Sequence, residues 1–286
     1  MTTTVLSLRT PAADPGIACL GVALGGRAKM AAARLATFLD CALDAGARLL
    51  VAHPGHGDSC GAPIGALLGK RRDEALVAGC VGRRGRLLSP AAECRRLLRR
   101  MGVEHVDLCL LEAEGAVPIE ERVGELGELV RAGLVAGIGL YGGEADLLAR
   151  AHAEHELAVA AVDYSLADRR AEAGLLPAAR GLGLPVLACR ALAGGLLAGR
   201  GAPADPVAAI RLRAAHRVAA HEDIGTARLA LAWLASRPAK LVPVVGCTDP
   251  VHLESDLSAL RTRLTPETLA ALEAIFPGPT AAPGAP

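Results

Sequence analysis

The chain has 286 residues, of which 52% are apolar and 21% charged, with 31 basic against 30 acidic side chains. That is ample material for a large buried core, while a net charge of +1 offers no field to hold nucleic acid or an anionic membrane. No run nears the roughly 18 apolar residues of a membrane span and the N-terminus carries no targeting pattern, so a soluble, cytoplasmic protein is expected. The eight cysteines (19, 41, 60, 80, 94, 109, 189 and 247) are dispersed without a CxxC pair, which argues against a disulfide framework or a structural zinc site.

Short, near-continuous apolar runs alternate with amphipathic stretches along the chain. Strands are expected at 17–23, 48–53, 75–81, 106–112, 135–140, 158–163, 185–190 and 241–245. Their composition suits parallel strands buried on both faces. Helices are expected at 29–45, 62–71, 90–101, 119–132, 144–155, 172–182, 205–236, 250–260 and 265–276. The stretch 205–236 is too long for one helix and should break near Asp223–Gly225. Ser89-Pro90 and Asp249-Pro250 have the form of an N-cap followed by proline in the first turn. Gly46, Gly102 and Gly133 stand where helices should stop. Eight β–α units predict an α/β fold, a single (β/α)8 TIM barrel over 1–277, with a disordered Pro/Gly/Ala tail at 278–286. A doubly wound open sheet is the alternative, but no GxGxxG opens the first helix.

In such barrels chemistry sits at the C-terminal ends of the strands. Around those ends six blocks stand in order: 42–57 (ALDAGARLLVAHPGHG), 95–112 (RRLLRRMGVEHVDLCLLE), 129–142 (LVRAGLVAGIGLYG), 162–172 (VDYSLADRRAE), 185–200 (PVLACRALAGGLLAGR) and 226–260, the last beginning TARLALAWLASRP. Together they resemble the aldo/keto reductases over residues 16–272. The resemblance implies a barrel that binds NADPH and reduces carbonyls with four convergent residues: a proton-donating Tyr, a Lys that lowers its pKa, an Asp that pairs with the Lys, and a His that orients the carbonyl. A free phenol has a pKa near 10, so the neighbouring cation is needed at neutral pH.

At the matching positions this sequence has Val51 for Asp, His56 for Tyr, Cys80 for Lys and Glu112 for His. For the nicotinamide, the family's Ser-Asn pair becomes Tyr141-Gly142, its Gln becomes Ala161, and its stacking aromatic becomes Cys189. After the eighth strand the cofactor segment runs Gly246-Cys247-Thr248-Asp249, with His252 and Asp256 beyond, and Asp249 would repel a 2′-phosphate. Leu192, Gly195, Leu197 and Gly199 retain the family pattern. They serve either the pyrophosphate or the turn itself.

The residues left at the mouth support several readings. His56 and Glu112 would form an acid–base pair. Cys80 would be a nucleophile beside them, a ligand with them for a metal, or a recessed core thiol. His53 and His56 have a spacing of three but fall in an expected loop, and no metal site is expected. Arg190 would hold a substrate anion or pair with an acid; Trp233 should be core, and Glu114 a solvated loop charge. The leading expectation is a pseudoenzyme-like barrel, taking a small-molecule ligand at its mouth, that has lost carbonyl reduction and is either non-catalytic or given to non-redox acid–base chemistry. The alternatives are a divergent NADPH-dependent oxidoreductase with His56 as proton donor, a cofactor-free isomerase or lyase using His56 and Glu112, and a binding subunit for an unknown protein partner.

Overall fold

A computed structural model describes residues 21–24, 31–52, 61–83, 88–115, 117–203, 205–238 and 241–279. Eight parallel strands close into a barrel in sequential order. They are β1 (Gly21–Leu24), β2 (Leu49–Ala52), β3 (Leu76–Val81), β4 (Val106–Glu112), β5 (Val135–Tyr141), β6 (Val159–Asp163), β7 (Val186–Cys189) and β8 (Leu241–Gly246). Closure is made by β1 against β8, with Gly21 opposite Val244 and Ala23 opposite Gly246. Around the barrel lie α1 (Ala32–Asp44), α2 (Gly61–Arg71), α3 (Pro90–Met101), α4 (Ile119–Arg131), α5 (Ala145–Glu154), α6 (Leu175–Gly181), α7 (Pro206–His221), α8 (Thr226–Ala235), α9 (Pro250–Ala259) and α10 (Pro266–Ile275).

Two apolar layers hold this arrangement. Inside the barrel, alternate residues of β2, β3, β4, β6, β7 and β8 interdigitate, among them Val51, Cys80, Leu110, Ala161 and Leu187. The intervening residues, such as Leu50, Val81, Leu111 and Leu140, face the helices in a second and larger cluster. Burial on both sides explains why the strands are near-continuous apolar runs: β4 is buried from Val106 through Leu111 and opens only at Glu112.

The helix signals act as the sequence suggests. The Ser89 hydroxyl accepts from the amide of Ala92, and the Asp249 carboxylate accepts from Val251 at 2.9 Å. Gly102 and Gly133 follow their helices with φ of 64° and 73°. The long stretch divides between α7 and α8, and Asp223 at φ 54° turns the chain between them. The expected sixth helix is shorter than its pattern, because 170–173 forms a separate 3-10 turn and Gly174 interrupts it. Residues 17–20 of the first expected strand lie outside the described residues, as do 280–286 of the expected tail. Gly278 is placed against Arg169 and Glu172.

Candidate functional site

The strand register sets the mouth of the barrel. On β4, residues 108 and 110 point inward, so Glu112 follows them into the opening, opposite Tyr141 on β5. Tyr141 in turn stands opposite Ala161 on β6, and Asp163 opposite Cys189 on β7. Ala161 is small, and Tyr141 reaches past it. The Tyr141 hydroxyl donates to Asp163 Oδ1 at 2.6 Å. The other oxygen of Asp163 lies 3.4 Å from Nε of Arg190, which leaves the end of β7 in a left-handed conformation at φ 51°. The mouth therefore carries a phenol–carboxylate–guanidinium chain spanning β5, β6 and β7. Arg190 pairs with an acid, and that acid faces the mouth.

These environments decide which protons are mobile. Burial pushes the Cys80 thiol up to about 12, with Glu112 adding to the shift, so the sulfur is a neutral thiol at pH 7. Burial also raises Glu112 above the ordinary carboxylate range. Tyr141 is raised by burial, by Cys189 and by its hydrogen bond to Asp163, which makes it a weaker acid than free tyrosine. Glu112 is anchored through its backbone. Arg122, almost fully buried on α4, donates to the carbonyl oxygens of Gly82, Glu112 and Ala113 at 2.7, 2.7 and 3.0 Å. One guanidinium thus fixes the ends of β3 and β4.

The remaining expected positions are spread over two loops and a helix start. Gly142, at φ 79°, donates its amide to the carbonyl of Ala161 at 2.8 Å. After β7, Gly195 adopts φ 99°, and its amide and that of Leu197 both donate to the carbonyl of Leu192. Leu192 and Leu197 are buried beneath this turn. The loop's pattern is therefore explained by the turn it makes. Gly246 at the end of β8 and Thr248 just after it are exposed. His252 is exposed in the first turn of α9, with the Asp249 carboxylate turned to cap that helix. Asp256 is buried, and burial raises it to about 6 against the opposing pull of His252 and Arg200. His53 and His56 lie outside the described residues. Among the described residues no three His, Cys, Asp or Glu side chains gather to hold a metal.

Asp163 was not singled out in the sequence, although it ends the sixth apolar run and the inward alternation of β6 includes it. Its importance comes from a side chain on the neighbouring strand, and strand periodicity does not state which way a tyrosine leans.

Residues 19–276 match the model of the Aldo/keto reductase family. The chain belongs to the aldo/keto reductase family. Probable aldo-keto reductase 1 of Glycine max is 31% identical over 195 residues, covering 62% of this chain and 56% of that protein. The aligned part thus spans little more than half of that curated relative. Two solved aldo/keto reductases from Klebsiella pneumoniae have the same fold. One, in complex with NADPH, has a TM-score of 0.77 at 23% identity and 92% coverage of both chains. The other, in complex with NADP and acetate, has a TM-score of 0.76 at 22% identity, covering 92% of this chain and 93% of its own. No helix of this aldo/keto reductase is long and apolar enough to cross a membrane among the described residues.

Proposed function

We propose that this aldo/keto reductase barrel does not carry out the carbonyl reduction of its family and instead holds a small molecule at its mouth for non-redox acid–base chemistry. The observation that carries this reading is the Tyr141–Asp163 hydrogen bond. Carbonyl reduction needs a phenol made more acidic by a cation. The phenol at this mouth is bonded to a carboxylate and buried beside Cys189, which makes it less acidic. The position where the family carries its lysine is Cys80, a buried neutral thiol, and the position of its aspartate is Val51, buried in the barrel interior.

The nicotinamide end of NADPH fits these residues poorly. Tyr141 lies across Ala161 toward Asp163, over the positions at which the family holds the carboxamide. Cys189 offers no ring to stack on. Glu112 has the features of a general acid: it is half-buried at the opening, raised in pKa, and held by its backbone to Arg122. A site with His56 and Glu112 exchanging protons with substrate would suit an isomerase or a lyase, including a dehydratase.

The competing reading is an NADPH-dependent oxidoreductase with His56 as proton donor. It is favoured by the bound NADP(H) in the two fold neighbours. Calorimetric titration with NADPH, followed by turnover of an aldehyde and ketone panel, separates the two. The expected result is no turnover and weak or absent NADPH binding. Micromolar affinity with turnover abolished by His56→Ala would overturn the proposal in favour of the oxidoreductase.

A further inference from the structure

Between the ends of β6 and β7 and the first turns of α7 the structure has a cavity of about 400 Å³. That volume is in the range of small-ligand sites. Its walls are of two kinds. Leu196, Leu197, Leu212 and Phe276 supply apolar surface, while Asp163, Asp168, Asp205, Arg190 and Arg211 supply charge.

The charges differ in what they already hold. Asp163 accepts the Tyr141 hydroxyl, Asp168 takes both arms of Arg170 at 2.9 and 2.7 Å, and Asp205 accepts the Ala208 amide at 2.8 Å as the cap of α7. All three carboxylates are engaged. The cations are held more loosely: Arg190 pairs with Asp163 through one 3.4 Å contact and has a side chain 62% exposed, and Arg211 has no acidic partner among the described residues. A guanidinium without a partner beside an apolar wall is suited to a carboxylate carried on a hydrocarbon body.

We propose that this cavity binds a small organic carboxylate, with its charged end held by Arg190 and Arg211 and its apolar chain against Leu196, Leu197, Leu212 and Phe276. The cavity shares Asp163 and Arg190 with the mouth, and the proposal concerns the barrel without bound dinucleotide, whichever reading of the mouth is correct. Because Arg190 also touches Asp163, a bound carboxylate would compete for Arg190 and so act on the Tyr141–Asp163 pair.

The test is calorimetric titration of the full chain, without NADPH, using hexanoate, hexanamide and hexylamine as probes. Hexanoate should bind saturably with a Kd of roughly millimolar order, and the neutral amide and the amine at least about tenfold more weakly. Arg211→Gln should weaken hexanoate about tenfold, whereas Arg213→Gln, on the exposed part of the same helix, should leave it unchanged. Circular dichroism melts would verify that both variants fold. Failure of hexanoate to saturate, preference for the amine, or equal effects of the two substitutions would each overturn the proposal.

Discussion

Glu112 is a carboxyl group held half out of water at the rim of a barrel, and its proton affinity is raised by that burial. A group with a raised folded-state pKa binds more protons in the native than in the unfolded state through the interval between the two values. Its contribution to stability therefore falls as pH rises through that interval, and none of this penalty is felt below the unfolded value near 4.3. Glu112→Gln should consequently raise the melting temperature at pH 7, with the gain disappearing toward pH 4. Melts of both proteins across that range would measure it, and a gain independent of pH would contradict the assignment. Cys80 allows a second check. With its thiol at about 12 and only 6% exposed, it should resist iodoacetamide at pH 8 in the native protein and react once urea has unfolded the chain, as read by peptide mass spectrometry. At this scale the resemblance to the family located Cys80 and Glu112, at the positions of its lysine and histidine. It did not disclose the Tyr141–Asp163 bond, which depends on Ala161 leaving room between them. Arg190 was readable as a cation near the opening, but its partner is decided by its φ of 51°, a conformation no composition rule assigns to arginine.

Among the elements, α2 packs closely against the C-terminal end of α3 at Gly65. A Cβ on Gly65 would lie 1.7 Å from the carbonyl oxygen of Met101, so Gly65→Ala must drive the two helices apart. A loss above about 3 kcal/mol is expected. Gly69 sits on the same helix with open space around it, and Gly69→Ala should instead stabilise by about 0.5–1 kcal/mol. Urea denaturation of the pair isolates close packing from helix propensity; similar effects from both would refute the approach. The elements themselves were legible because each carries redundant signals. β4 carries the apolar run 108–111 between Asp107 and Glu112, and α3 begins at Ser89-Pro90 and ends at Gly102. The 3-10 turn at 170–173 escaped notice because its one outward-facing turn has no period to detect. It is held by contacts to distant side chains.

Over the whole molecule, those contacts join the β6 loop to α8 and α10. Arg169 and Arg237 lie 5.1 and 4.9 Å from the ring centroid of Trp233. Glu172 binds Arg169 and the Tyr164 hydroxyl. Glu273 on α10 accepts from Arg169, from Arg237 at 2.9 Å and from the Trp233 indole at 3.2 Å. Glu273→Ala leaves a buried guanidinium short of its acceptor and should cost about 2 kcal/mol, measured by urea denaturation followed by circular dichroism. A change within error would show that α10 is held by its apolar face alone. Eight β–α units made the architecture legible from composition, but this network joins residues more than a hundred positions apart, and no local pattern announces it.

The pairing of β1 with β8 gives synthesis a particular order. Until the ribosome has released Val244 and Gly246, the nascent sheet has two bare edges, each with backbone groups ready to bond to any passing strand. Completion of the circle is thus a late event joining the most distant segments of the chain, the kind of contact that forms slowly. Folding yield in the cell should accordingly be governed by how well those edges are shielded during translation, more than by the final stability of the closed ring.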